Sequence, residues 1–231
     1  HLQSPSPFTR GKPRIQFSTG QHDVIRQPYN YLLQMALVSM RKGSKNTEGG
    51  TEVMHILIVG AAGMVGRKLA GKLAQAGGLQ GREVTAMTLA DVVPAETPSG
   101  FGGKVTIETV DLSEPAAAER LIATRPDVIF HLAAIVSGEA ELDFEKGYWI
   151  NLDGTRYLFE AIRMAHLADG YRPRVVFTSS IAVFGAPLPY PIPDDFHTTP
   201  LTSYGTQKAI CELLLSDYSR KGYFDGKPFS P

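Results

Sequence analysis

From Met54 onward, short runs of apolar and often β-branched residues alternate with longer stretches that are apolar at every third or fourth position. The first rhythm is that of a buried strand, the second that of a helix with one face inward. His55–Val59 reads as the first strand. Met64–Ala76 reads as a helix ended by Gly77-Gly78, residues suited to a helix C-terminus. Glu83–Ala90 is the second strand, closing on Asp91, and Lys104–Val110 the third, closing on Asp111. Pro94–Gly103 between them is a loop rich in Gly and Pro. Pro115–Thr124 is a helix with Ser113 as its cap and Pro115 in its first turn. Asp127–Leu132 is the fourth strand and Arg174–Ser179 the fifth. Between these two, Phe144–Leu167 holds a long helix interrupted near Asn151, and Ser203–Tyr218 is the last helix.

This alternation implies an α/β fold, a doubly wound parallel sheet with helices on both faces. Right-handed crossovers give the Rossmann strand order 3-2-1-4-5. In such sheets ligands bind beyond the carboxyl ends of the strands. The small and polar punctuation of this chain falls there, at Gly60, Asp91, Asp111, Ala133 and Ser180.

Before Met54 the rhythm is lost. The segment carries Ser, Gly, Pro and basic residues and one short apolar piece, Tyr31–Val38. Residues 1–53 read as a disordered or non-native extension, with a transit peptide as the alternative. Gly49-Gly50 marks the boundary, and the globular domain runs over residues 54–223.

Lys and Arg number 23 and so do Asp and Glu, so no net charge draws the chain to nucleic acid or an anionic membrane. The single cysteine, Cys211, cannot form an intramolecular disulfide, which fits a reducing, cytoplasmic setting. No uninterrupted apolar run reaches the length of a membrane span. No metal site is predicted.

The first strand runs into Gly60-Ala61-Ala62-Gly63-Met64-Val65-Gly66, three glycines at G-x-x-G-x-x-G spacing with a helix opening at once. Strand, tight turn and helix in that order bring backbone close to a pyrophosphate, and the first helical amides, those of Met64 and Val65, face it. Asp91 follows Gly66 by somewhat more than the usual ~20 residues. Its carboxylate suits the adenosine ribose hydroxyls and would repel a 2′-phosphate, which favours NAD over NADP. The alternative is a strand-end acid facing water. Arg67 and Arg82 keep a phosphate-binding arginine open. Asp111 and Leu112 are placed to meet adenine, or Asp111 simply caps the following helix. Ala133 and Ala134 are small enough to let backbone pass beside a cofactor, while His131, inside an apolar strand, reads as a core residue.

The candidate chemistry lies in Ser203-Tyr204-Gly205-Thr206-Gln207-Lys208. Tyr204 and Lys208 are four apart and share a helix face. A cation near a phenol lowers its pKa. Such a tyrosine can take a proton from a substrate hydroxyl while hydride leaves for nicotinamide. A serine from Thr178-Ser179-Ser180 can orient the reacting oxygen.

The glycine fingerprint, His131-Leu132-Ala133-Ala134, Asn151-Leu152-Asp153-Gly154-Thr155, Ser179-Ser180-Ile181-Ala182-Val183-Phe184-Gly185 and Tyr204-x-x-x-Lys208 together resemble the extended short-chain dehydrogenase/reductase superfamily, that of the NAD-dependent epimerases and dehydratases. The resemblance covers about Met54 to Gly222. Ile135–Glu141, Pro193–His197 and Leu201–Glu212 resemble its D-erythronate dehydrogenase branch more than its sugar-nucleotide epimerases. It implies NAD-dependent oxidation of a small sugar acid, D-erythronate, to 2-oxo-erythronate. A nucleotide-sugar epimerase or dehydratase with tightly bound NAD is the first alternative, and a non-catalytic dinucleotide-binding fragment the second.

By position the resemblance makes Tyr204 the acid/base and Lys208 its partner. Ser180 is the third catalytic member, with Ser179 as the other candidate. Asn151 corresponds to an asparagine that holds a water in the proton relay; alternatively it stabilises a helix bend. Ser137 is a candidate substrate contact or an ordinary loop hydroxyl. The helices over Trp149–Ala165 and Tyr204–Tyr218 occupy positions that pair in homodimers of the superfamily. The sequence departs from the pattern after Gly222. With Pro228 and Pro231 among the last four residues, residues 224–231 read as an irregular tail. A sixth strand and most of the substrate-binding lobe are expected to be missing.

Overall fold

A computed structural model describes residues 53–193 and 196–229. The extension read over residues 1–53 therefore lies almost wholly outside the described residues, as do Asp194 and Asp195. Seven strands are described: β1 Val53–Val59, β2 Gly78–Leu79, β3 Arg82–Asp91, β4 Lys104–Thr109, β5 Val128–His131, β6 Arg174–Thr178 and β7 Asp225–Phe229. The helices are α1 Met64–Ala76, α2 Pro115–Ala123, α3 Ser137–Leu142, α4 Phe144–Gly147, α5 Gly154–Asp169 and α6 Ser203–Arg220. A π-helical segment, Tyr148–Asp153, joins α4 to α5. None of these helices is long and apolar enough to cross a membrane.

The strands pair in parallel in the order β4-β3-β1-β5-β6-β7, which contains the expected 3-2-1-4-5 order. Alternate residues of β1 explain why helices lie on both faces. Leu57 and Val59 join one core with Phe159 and Ile162 of α5, Leu215 of α6 and Phe224. Ile56 and Ile58 join the other with Leu69 and Leu73 of α1. A strand buried on both faces reads as an unbroken apolar run, as His55–Val59 nearly does.

Four local features refine or correct the sequence reading. Gly77 does end α1, in the left-handed conformation with φ 63° and its N–H on Leu73. The chain then makes an unforeseen hairpin: Gln80 and Gly81, at φ 58° and 79°, form the tight turn that pairs β2 antiparallel with the start of β3. Ser113 is not the cap of α2. Glu114 precedes that helix without a capping side-chain bond, and the Asp111 carboxylate instead accepts from the Ser113 amide at 2.9 Å.

The fourth feature lies at the end of the described chain. Residues Asp225–Phe229, expected to be an irregular tail, are strand β7, paired from Arg174↔Asp225 to Thr178↔Phe229. Among the described residues β7 pairs with β6 alone. A strand hydrogen-bonded on one side can carry Pro228, because a residue whose N–H would point away from the partner breaks no ladder bond. The Arg174–Asp225 ion pair, at 2.7 Å, fixes the start of the pairing.

Candidate active site

Glycine builds the turn after β1. Gly60 has φ 89°, and a Cβ on it would stand 2.6 Å from the amide nitrogen of Ala133. A Cβ on Gly66 would stand 2.2 Å from the carbonyl oxygen of Gly60. The first absence lets the turn press against the chain leaving β5, and the second lets α1 press against the turn. Gly63 precedes α1 in extended conformation and offers no capping side chain. As first-turn amides, those of Met64 and Val65 have no partner within the helix, and no acid stands in the first turn. This end of α1 presents donors and positive dipole to an anion.

A cleft of about 370 Å³ opens over the turn, lined among others by Gly60, Asp91, Asp111, Leu112, Ala133 and Ala134. Asp91 is not merely a strand-end acid in water. Its Oδ2 accepts from the Ala62 amide at 2.9 Å and its Oδ1 from Val92 at 2.8 Å. The carboxylate is thereby held at the glycine turn, with lone pairs remaining for a ligand hydroxyl. Asp111 likewise holds its own turn while lining the cleft. Arg82 is excluded as a phosphate ligand here: it lies at the opposite end of β3, on the Val53 carbonyl and Asp127.

The second half of the site is where α6 meets the end of β6. Thr202 caps α6 by accepting from the Gly205 amide at 3.0 Å, and the Glu141 carboxylate accepts from the Ser203 amide. A Cβ on Gly205 would stand 2.1 Å from the Ala182 carbonyl oxygen, so this glycine seats the helix on the turn after β6. That seating sets Tyr204 beside Ser180, close enough for the serine hydroxyl to act on the phenol's ionisation. Ser180 Oγ also accepts from the Ala182 amide at 3.2 Å. Ser179, by contrast, is buried with no partner for its hydroxyl among the described residues. Of the two serines, Ser180 is the one brought to Tyr204.

Lys208 is 2% exposed, its ammonium 4.6 Å from the centre of the Phe177 ring and 5.9 Å from that of Tyr204. Its Nζ donates to the Thr178 carbonyl at 3.0 Å. Burial pulls its pKa down to about 8. The expectation that this cation lowers the Tyr204 pKa does not hold in this structure. Burial pushes the phenol up, and the Ser180 hydroxyl opposes the rise. Loss of water outweighs the serine's effect.

Asn151 sits in the π-helical segment, where its side chain is fully engaged. Oδ1 accepts from the Ile135 amide at 2.9 Å, and Nδ2 donates to the Ile135 carbonyl at 3.2 Å and to Gln207 Oε1 at 2.8 Å. Its carbonyl accepts from Thr155 Oγ1. These contacts are those of a residue stabilising the helix irregularity. Ser137 opens α3 and is half-buried. His131 is a core residue, 1% exposed, with Nε2 2.8 Å from Thr155 Oγ1.

Residues 56–229 match the model of the family described as NAD dependent epimerase/dehydratase. The chain belongs to that epimerase/dehydratase family. A D-erythronate dehydrogenase of Cupriavidus necator is 48% identical over 179 residues, 75% of this chain and 53% of that protein. One from Haemophilus influenzae is 40% identical, over 75% of this chain and 52% of its own length. A crystal structure of a nucleoside-diphosphate-sugar epimerase from Agrobacterium tumefaciens matches with TM-score 0.76 and 69% identity, covering 81% of this chain and 55% of that one. The chain spans about half the length of these relatives.

Membership of the epimerase/dehydratase family makes NAD the cofactor. The glycine cradle, the open amides of α1 and the carboxylate of Asp91 fit a dinucleotide. Sequence reasoning missed two residues of the site. Glu141 reaches the start of α6 across 62 positions of chain, which no local pattern signals. Gln207 lies three residues after Tyr204 and is wholly buried in α6, and that spacing was the only available sign.

Proposed function

We propose that this chain carries the cofactor half and the proton-transfer group of an NAD-dependent dehydrogenase acting on a small sugar acid, D-erythronate, and giving 2-oxo-erythronate. The observation that supports it is Tyr204 set beside Ser180 at the end of β6, with buried Lys208 one turn further along α6 and near the same phenol. NAD when bound supplies the hydride acceptor. Ser180 and Tyr204 hold the substrate hydroxyl between them, and Tyr204 takes its proton. The Ser180 hydroxyl favours the phenolate that this requires. Lys208, protonated at neutral pH, opposes loss of charge balance as the phenolate forms. Asp91 receives the adenosine ribose and Asp111 with Leu112 the adenine. Gly60, Gly63, Gly66, Met64 and Val65 carry the pyrophosphate, Ala133 and Ala134 flank the cofactor, and Ser137 contributes to the substrate surface.

NADH formation from D-erythronate, followed at the reduced-nicotinamide absorbance band, tests the reading. Tyr204→Phe should slow it by about 100-fold or more; an unchanged rate would overturn the assignment. The solved relative at 69% identity supports a second reading, a nucleotide-sugar epimerase. That activity regenerates NAD within each turnover, so product would form from a nucleotide sugar without net NADH.

A further inference from the structure

Gln207 is wholly buried, between the two residues that carry the proposed chemistry, and nothing above gives it a part in the reaction. Its Oε1 accepts from Asn151 Nδ2 at 2.8 Å, while its Nε2 finds no acceptor among the described residues. A buried amide with one unpaired end is costly, and an apolar side chain would fill the same space without that cost. The paired end therefore has to supply something an apolar residue cannot.

What it supplies is the orientation of Asn151. That side chain has two N–H donors and one carbonyl. One N–H goes to the Ile135 carbonyl and the carbonyl to the Ile135 amide, so Asn151 grips both backbone groups of one residue. The other N–H needs an acceptor, and Gln207 is the acceptor it has. Turned over, the Asn151 amide would set donor against the Ile135 N–H and acceptor against both Ile135 C=O and Gln207 Oε1. Ile135 and Ile150, on either side of this grip, both line the cofactor cleft.

We propose that Gln207 is a positioning residue that, through Asn151, locks the Ile135 backbone at the cofactor cleft and so ties cofactor binding to the helix bearing Tyr204 and Lys208. The proposal rests on the oxidoreductase reading only for the consequence at the cofactor; the lock itself is independent of it. Gly147 gives a second handle, because a Cβ there would stand 2.7 Å from Gln207 Nε2. Gly147→Ala displaces the amide without removing it.

Amide hydrogen exchange in the full chain tests the lock without cofactor. In Gln207→Leu the Ile135 amide should exchange at least about tenfold faster, from loss of a buried hydrogen bond, while the Leu57 and Ile58 amides of β1 keep their rates. Gly147→Ala should give a smaller acceleration at the same amide, and it decides the matter if Gln207→Leu does not fold. Gln207→Glu, which keeps an acceptor, should restore Ile135 protection. NADH titration by calorimetry then tests the coupling: affinity should fall about tenfold in Gln207→Leu and recover in Gln207→Glu. Unchanged Ile135 exchange in both Gln207→Leu and Gly147→Ala overturns the lock. Faster exchange with unchanged NADH affinity overturns the coupling. Failure of the unaltered chain to bind NADH would count against the oxidoreductase reading, and the exchange result would still judge the lock.

Discussion

His131 shows how burial fixes the state of a single residue. Thr155 Oγ1 donates to the Asn151 carbonyl at 2.7 Å, so at the 2.8 Å contact with His131 the imidazole Nε2–H is the donor. Nδ1 is then the bare nitrogen, buried without a partner among the described residues. Burial, aided by the nearby Lys208 charge, drops the pKa from 6.5 to about 3. Above pH 6.5 the group is neutral folded or unfolded and stability does not depend on it. Between 6.5 and 3 the unfolded chain takes up a proton that the folded chain refuses, so stability falls with pH, by about 1.4 kcal/mol per pH unit from this group. Replacing it by Gln should remove one proton's worth of slope from unfolding free energy against pH between 6 and 4. An identical slope in His131→Gln and unaltered protein would refute the assignment. The position of His131 in an apolar strand was enough to read it as core; its tautomer needed Thr155, 24 residues away.

At the scale of an element, α1 contains one experiment with two signs. Gly66 and Gly71 both lie in the same helix, and helix propensity alone favours Ala at each. A Cβ at Gly71 meets nothing within 4 Å, so Gly71→Ala should stabilise by about 0.5–1 kcal/mol. At Gly66 the added carbon runs into the backbone oxygen of Gly60, which cannot swing away like a side chain. Gly66→Ala should destabilise by about 2 kcal/mol or more and abolish NADH binding. Denaturant unfolding with NADH titration checks both, and equal effects at the two sites would contradict the packing described. Strand–helix alternation and the glycine spacing were legible because both are local periods. The π-helical turn at Tyr148–Asp153 was legible only as an interruption, since the bonds that hold it come from Ile135 and Gln207. β7 was misread because a proline argues against a strand until its neighbours are known.

The whole molecule leaves large apolar side chains outward on the π-helical segment, α5 and α6: Trp149 is 57% exposed, Met164 54% and Leu213 68%. These are the helices expected to pair in a homodimer. We expect concentration-dependent self-association by sedimentation velocity, with Trp149→Ser combined with Leu213→Glu shifting the chain to monomer. A single-chain mass at every concentration would rule out pairing through these faces.

By itself the sequence determined the layered fold, the strand order, the glycine turn between β1 and α1 and the helix that carries Tyr204 and Lys208. Each is written in local pattern: short apolar runs for the strands, a period near four for the helices, every third residue for the glycines. The tertiary structure decided which serine meets Tyr204, what Asn151 holds, where Asp91 points its carboxylate, and which way the Tyr204 and Lys208 equilibria lean. Those depend on burial and on partners tens of residues away, and a linear pattern carries neither.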